Sequence, residues 1–279
     1  MTKHLKPVEL FLAFGLAATI GISNSPSANA SEGDETVNEA TAPVLAQGGE
    51  GGEGGEGGEG GEGGEAGVSS GNPDVDYMTT LGLMKGHLIV AEELIEQGNY
   101  DEAEVHIGHP VEELYGGIEN ELSQRNVSQF KTELTELHDL AKSAPESPQM
   151  QDAFATSMES IDQAIAAVPQ SERQSPEFVL DVMTEMLKTA AAEYEAAIAD
   201  GKIVEVEEYQ DARGFILYAE ELYQNVADQM SQENPEDHQV IQESLAQLKT
   251  AFPSVTPPDT PIKDPSEVYS LVSQIELRS

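Results

Sequence analysis

Residues 84–115 read MKGHLIVAEELIEQGNYDEAEVHIGHPVEELY, and this stretch decides the fold class. Leu83, His87, Val90 and Leu94 recur at i, i+4, i+7 and i+11, one apolar stripe of an α-helix, so His87 is expected to face inward. Gly98 ends that helix, and a second helical pattern starts at Tyr100. In it Glu102, His106, His109 and Glu113 repeat the same spacing. Pro110 has no N–H, so the carbonyl of His106 loses its helical donor and a kink is expected beside the histidines. A short loop between two such helices favours an antiparallel pair.

Working outward, the helical pattern continues almost to the C-terminus. The expected helices cover residues 77–97, 100–123, 127–143, 149–168, 176–199, 203–231, 235–251 and 265–277. Ser147-Pro148, Ser175-Pro176, Asn234-Pro235 and Asp264-Pro265 each place proline in a first turn behind a capping residue. Asp74 or Asp76 is positioned to cap the first helix, and Asp200-Gly201 closes the fifth. No segment shows sustained strand alternation, so the fold class is all-α.

The eight helices also divide in two. With Gly98 aligned to Gly201, Ile95 meets Ile198, Glu102 meets Glu205, and Leu114-Tyr115 meets Leu217-Tyr218. Further on, Leu137 meets Leu245, Leu140 meets Leu248 and Pro145 meets Pro253. The pattern predicts two related four-helix units, residues 77–168 and 169–279, a pseudo-duplicated helical bundle. In this alignment His87 meets Ala190, His106 meets Tyr209, His109 meets Ala212, and Glu112 and Glu113 meet Phe215 and Ile216. The first unit thus carries imidazoles and carboxylates where the second is apolar or aromatic, which assigns a polar site to the first unit or to the seam.

Ahead of the helices lie two other regions. Residues 1–30 read as a secretory signal peptide, with Lys3 and Lys6, an apolar run, and Ala28-Asn29-Ala30 as the cleavage pattern. The run is short for a span of about 20 residues, so cleavage after Ala30 is preferred to a retained anchor. The expected location is periplasmic or extracellular. Residues 31–76 form an acidic linker centred on six Gly-Gly-Glu triplets, from Gly48 to Glu65. Paired glycines and regular glutamates oppose collapse, which predicts a disordered spacer.

Composition narrows the function. The chain has 279 residues, with 13 Lys+Arg against 52 Asp+Glu, for a formal net charge of -39. Such a field repels nucleic acid and anionic lipid and attracts cations. With no cysteine, disulfides, thiolate ligands and thiol nucleophiles are excluded. Neutral imidazole with carboxylate suits Fe, Cu or Zn. The predicted ligands of a divalent transition metal are His87, His106 and His109, with Glu112 or Glu113. A hydrogen-bonded core histidine at 87 and a solvated acidic face at 106–113 are the plain alternatives. Met84 is a soft neighbour of His87. Tyr209, Asp211 and Arg213 form a second cluster, in which Tyr209 and Arg213 are candidate contacts for a bound complex. Arg213 is free to pair with Asp211, Glu208 or an acid of the first unit.

At His109-Pro110-Val111-Glu112 the chain resembles the His-x-x-Glu element of imelysin-like proteins, which are secreted, helical and built from two similar four-helix bundles. The resemblance implies periplasmic iron uptake, or a peptidase-like label. The leading expectation is a soluble extracytoplasmic binding protein that holds a metal ion or metal complex, without catalysis. Another extracytoplasmic or membrane protein is a second class of partner. The alternative is a structural or interaction bundle without metal. A metallopeptidase ranks last, because His-Glu-x-x-His is absent from the sequence.

Overall fold

The first long helix, α1 (Pro73–Gln97), is buried on nearly all sides from Val75 to Ala91. A helix apolar all round belongs at the centre of a bundle, and α1 packs against α2 (Tyr100–His109), α5 (Pro148–Ile165), α7 (Pro176–Ala196) and α8 (Val206–Glu233). The computed structural model describes residues 69–279, and these belong to one compact unit. The expected signal peptide and the Gly-Gly-Glu repeat lie outside the described residues.

The remaining elements are α3 (Tyr115–Gln124), α4 (Lys131–Ser143), the short α6 (Gln170–Arg173), α9 (Pro235–Ala251) and α10 (Pro265–Glu276). The all-α expectation holds. In chain order α1 to α5 and α7 to α10 make two helix sets, and one continuous apolar core runs through both. It includes Leu83 and Leu88 of α1, Leu187 of α7, Phe215 of α8 and Leu245 of α9.

Local chemistry sets the ends. The linker expectation ran to residue 76, yet α1 begins at Pro73, because Asn72 rather than an aspartate caps it: Asn72 Oδ1 accepts from Asp74 N at 3.0 Å. Proline at the first helical position then costs no hydrogen bond. Gly98 closes α1 in the left-handed region, φ 79°, with its N–H on Ile95 O and that of Asn99 on Leu94 O.

Its counterpart Gly201 does something different. Asp200 (φ 52°) and Gly201 (φ 72°) form the tip of a two-residue hairpin between β1 (Ile198–Ala199) and β2 (Lys202–Ile203). Two successive positive φ values are what such a turn needs, so α7 stops at Ala196 where sequence analysis carried it to 199.

The kink expected at Pro110 is instead a π-helical turn, Pro110–Leu114, between α2 and α3. Pro110 keeps helical angles, and the N–H of Tyr115 reaches back to Pro110 O. One extra residue enters the turn, which rotates everything after His109 relative to everything before it.

Candidate metal centre

Three helices converge on one buried point. His87 comes from α1, His106 and His109 from α2, and Asp211 from α8. The approach depends on two glycines. A Cβ on Gly214 of α8 would collide with the carbonyl oxygen of Gly86 on α1. A Cβ on Gly86 would lie 2.5 Å from Phe215 Cδ1 and 3.0 Å from Gly214 C. The two helix backbones therefore touch, which seats His87 and Asp211 against each other one residue and three residues from the crossing.

All three imidazoles present Nδ1 to the same place. His87 Nδ1 and His106 Nδ1 each lie 2.7 Å from Asp211 Oδ1. His109 Nδ1 lies 3.5 Å from Asp211 Oδ2 and 3.3 Å from His87 Nδ1. One ligand-type atom from each of the four residues falls within 4.8 Å of all the others. His87 and His106 are fully buried, Asp211 is 1% exposed and His109 9%. His109 is thus the member nearest solvent. Phe215 closes the apolar side, its ring edge-on to His87 at 4.9 Å.

The outer nitrogens are held as well. His106 Nε2 sits 2.7 Å from Gln210 Oε1. His109 Nε2 lies 2.8 Å from Glu207 Oε1 and 3.7 Å from Glu113 Oε1. Burial opposes the charged form of Asp211, but the charges of His87 and His106 and hydrogen bonds from both outweigh it. They hold the carboxyl far below the usual carboxylate range. Burial also opposes protonation of His109. The hydrogen bond to Glu207, helped by Asp211 and Glu113 against the charge of His87, nonetheless raises its pKa.

A neutral imidazole with Nε2–H engaged has its Nδ1 lone pair free for a cation, and partners on the outer nitrogen are the usual support of a metal-bound histidine. His106 and His109 have that support, and the three Nδ1 nitrogens with one carboxylate form a donor set suited to divalent iron, zinc or copper.

Of the residues singled out from sequence, His87, His106 and His109 come together. Glu113 stands behind His109, on its Nε2 side. Glu112 turns away, its Oε1 3.6 Å from His138 Nδ1, because the π turn rotates it off the histidine face. Met84 is fully buried in the apolar core and makes no part of the cluster. Tyr209 donates from its hydroxyl to Ser254 O at 3.0 Å and packs on Phe252. Arg213 forks onto Glu93 of α1 at 2.8 and 2.9 Å and donates to Phe252 O at 2.5 Å. Neither Tyr209 nor Arg213 joins the four.

Sequence reasoning missed Asp211 as a ligand and Gln210 altogether. The signal available was the glycine pair: a glycine inside a helix costs about 1 kcal/mol against alanine, so Gly86 and Gly214 marked a close backbone approach.

Residues 169–279 match the family described as the iron permease-associated 4-helix bundle domain. The match begins at the residue where the second helix set was expected to start. It contains Glu207, Gln210 and Asp211, while the three histidines precede it. No curated protein and no solved structure matches the chain.

The match corrects three expectations. The resemblance to imelysin-like proteins is overturned, since the family found is the iron permease-associated bundle. The His-x-x-Glu element behind that resemblance also splits in space, because Glu112 faces His138. The soluble extracytoplasmic binding protein is overturned by the tie to an iron permease, a membrane transport protein. The periplasmic or extracellular location falls with it. Among the described residues, no helix is long and apolar enough to cross a membrane. The match covers residues 169–279, and the family's description points to iron handling.

Proposed function

We propose that this chain is a component of an iron-permease system and that iron is its cargo, seated at His87, His106, His109 and Asp211. One observation carries the reading: three buried Nδ1 nitrogens and one buried carboxylate share a single point, in a chain whose C-terminal part matches an iron permease-associated bundle. The proposal includes no catalytic step.

Electrostatics supports a cation there. A buried carboxylate is costly unless paired, and among the described residues His87 and His106 are what offset the charge of Asp211. A metal ion replaces the protons shared among these groups and takes over that role. The acidic residues Glu207 and Glu113 line the solvent side of His109, so a cation arriving from water meets negative charge before it meets imidazole.

The test has two parts. Anaerobic titration calorimetry of the full chain with Fe(II) is expected to show one tight site, lost in the double substitution His106→Ala with His109→Ala. Cells lacking the chain are expected to take up less radioactive iron, with rescue by the wild type and not by the double variant. Equal affinity in both proteins overturns the site. Uptake indifferent to the chain overturns the role in transport.

A further inference from the structure

Resting on the proposed iron site, we infer that Gln210 is a positioning residue that locks His106 in the tautomer whose Nδ1 is available to the metal. The amide lies between three groups. Its Oε1 is 2.7 Å from His106 Nε2. Its Nε2 is 2.8 Å from Glu102 Oε2 and 3.2 Å from Val255 O.

The last two partners settle the orientation of the amide. A carboxylate and a backbone carbonyl only accept hydrogen bonds. Flipping the amide would set its oxygen against both of them and its NH₂ against His106. The amide oxygen therefore faces the histidine, and His106 Nε2 must be the donor. With Nε2–H committed, the nitrogen left to bind a metal is Nδ1, which in the metal-free chain donates to Asp211 Oδ1 at 2.7 Å and gives up that proton when the metal enters.

The lock is buried and anchored at two places in the fold. Gln210 is 1% exposed. Glu102 belongs to the first turn of α2, one helical turn before His106, and Val255 belongs to the segment after α9 that packs on Val90, Leu94 and Ala103. The neighbouring α8 side chains hold the same segment, Tyr209 through Ser254 O and Arg213 through Phe252 O. The segment from Phe252 to Val255 thereby fixes the amide that fixes the ligand.

His109 is supported differently. Its outer nitrogen faces the half-exposed carboxylate of Glu207, which solvent reaches. His106 is therefore the ligand of the two whose outer partner is buried.

The experiment uses the full chain and Zn(II), a diamagnetic probe, with a competing chelator to suppress weak carboxylate sites. Nitrogen–proton correlation spectra of the histidine rings report which nitrogen of each carries the proton. In the Zn(II)-loaded wild type, His106 is expected to keep a proton on Nε2 and bind through Nδ1. Gln210→Met is expected to lose that fixed pattern and to weaken Zn(II) binding by about 10–100-fold, the usual effect of removing a supporting partner. Gln210→Glu combined with Glu102→Gln reverses the donor and acceptor but keeps an oxygen against His106. It should restore the Nε2–H signal and recover affinity to within about threefold.

Should Gln210→Met fail to fold, Gln210→Glu alone replaces it. That variant sets two carboxylates together and is expected to bind weakly until Glu102→Gln is added. Unchanged affinity and an unchanged His106 spectrum in the single variant overturn the inference, as does a double variant no better than the single one. A wild type whose rings do not respond to Zn(II) overturns the iron site itself, a separate failure visible before any substitution is made.

Discussion

Two helical hairpins with matching punctuation behave in opposite ways. In α1–α2, His87, His106 and His109 point into the bundle and meet Asp211. In α7–α8, the aligned residues Ala190, Tyr209 and Ala212 are just as buried but apolar or aromatic. Tyr209, Tyr194 and Phe252 stack there with ring centroids 4.9–6.5 Å apart. One hairpin is closed by packing, and the other is held by hydrogen bonds among titratable groups. The difference teaches that a hairpin of this kind can be closed without histidines, which supports the iron site proposed for them. The second hairpin still contributes, because α8 supplies Asp211 to the centre built on the first.

The sharpest way to break this comparison is at Asp211. Asp211→Ala removes the carboxylate that lies 2.7 Å from both His87 Nδ1 and His106 Nδ1. It should abolish tight Fe(II) binding and destabilise the metal-free fold by about 3–5 kcal/mol, the cost of stripping one partner from a buried pair. Chemical denaturation and calorimetry read the two effects separately.

Next in size is the glycine crossing. Gly214→Ala forces α1 and α8 apart at a backbone contact, for about 1–3 kcal/mol of overpacking. It should also weaken metal binding by moving His87 from Asp211. A stable Gly214→Ala chain with wild-type affinity would remove the crossing from the account.

Acidity distinguishes the two hairpins as well. His109 has a raised pKa, so its contribution to metal-free stability is complete below its ordinary value of 6.5 and is lost as pH rises through the raised value. Asp211 has a depressed pKa, so its contribution is present above its ordinary 3.8 and is lost only as pH falls through the depressed value. The metal-free chain should therefore melt at lower temperature as pH rises from about 6 to 8, and His109→Gln should flatten the slope. Metal binding has the opposite sign, because protons compete for Nδ1, so the rise in Tm caused by Fe(II) should grow with pH. Melting curves with and without metal check both signs.

The smallest effect belongs to the second hairpin. Tyr209→Phe loses one hydrogen bond to Ser254 O, worth about 0.5–1.5 kcal/mol. Fe(II) affinity should fall only slightly, since Arg213 still holds the same segment through Phe252 O. A large loss of affinity would show that the two hairpins are coupled more tightly than their packing indicates.

How much of this was legible in the sequence depended on distance along the chain. Helix ends marked by Ser147, Gly98 and the prolines were readable because capping is local. The inward face of His87, His106 and His109 was readable because it follows from helical spacing. Asp211 was not, since its partner His87 lies 124 residues away and their meeting depends on two glycines touching. It also stands among Glu207, Glu208 and other acids that look alike in sequence. Glu112 was misplaced for a local reason that spacing does not reveal: Pro110 produced a π turn in place of a kink, and one added residue turned the side chain toward His138.

X-ray absorption at the iron edge tests the central claim most directly. The full chain, loaded anaerobically with one equivalent of Fe(II), should show the outer-shell scattering of three imidazole rings together with one carboxylate oxygen. That signature distinguishes the buried centre from the glutamates of the Gly-Gly-Glu repeat. A coordination shell of oxygens alone, with no imidazole scattering, would contradict the account.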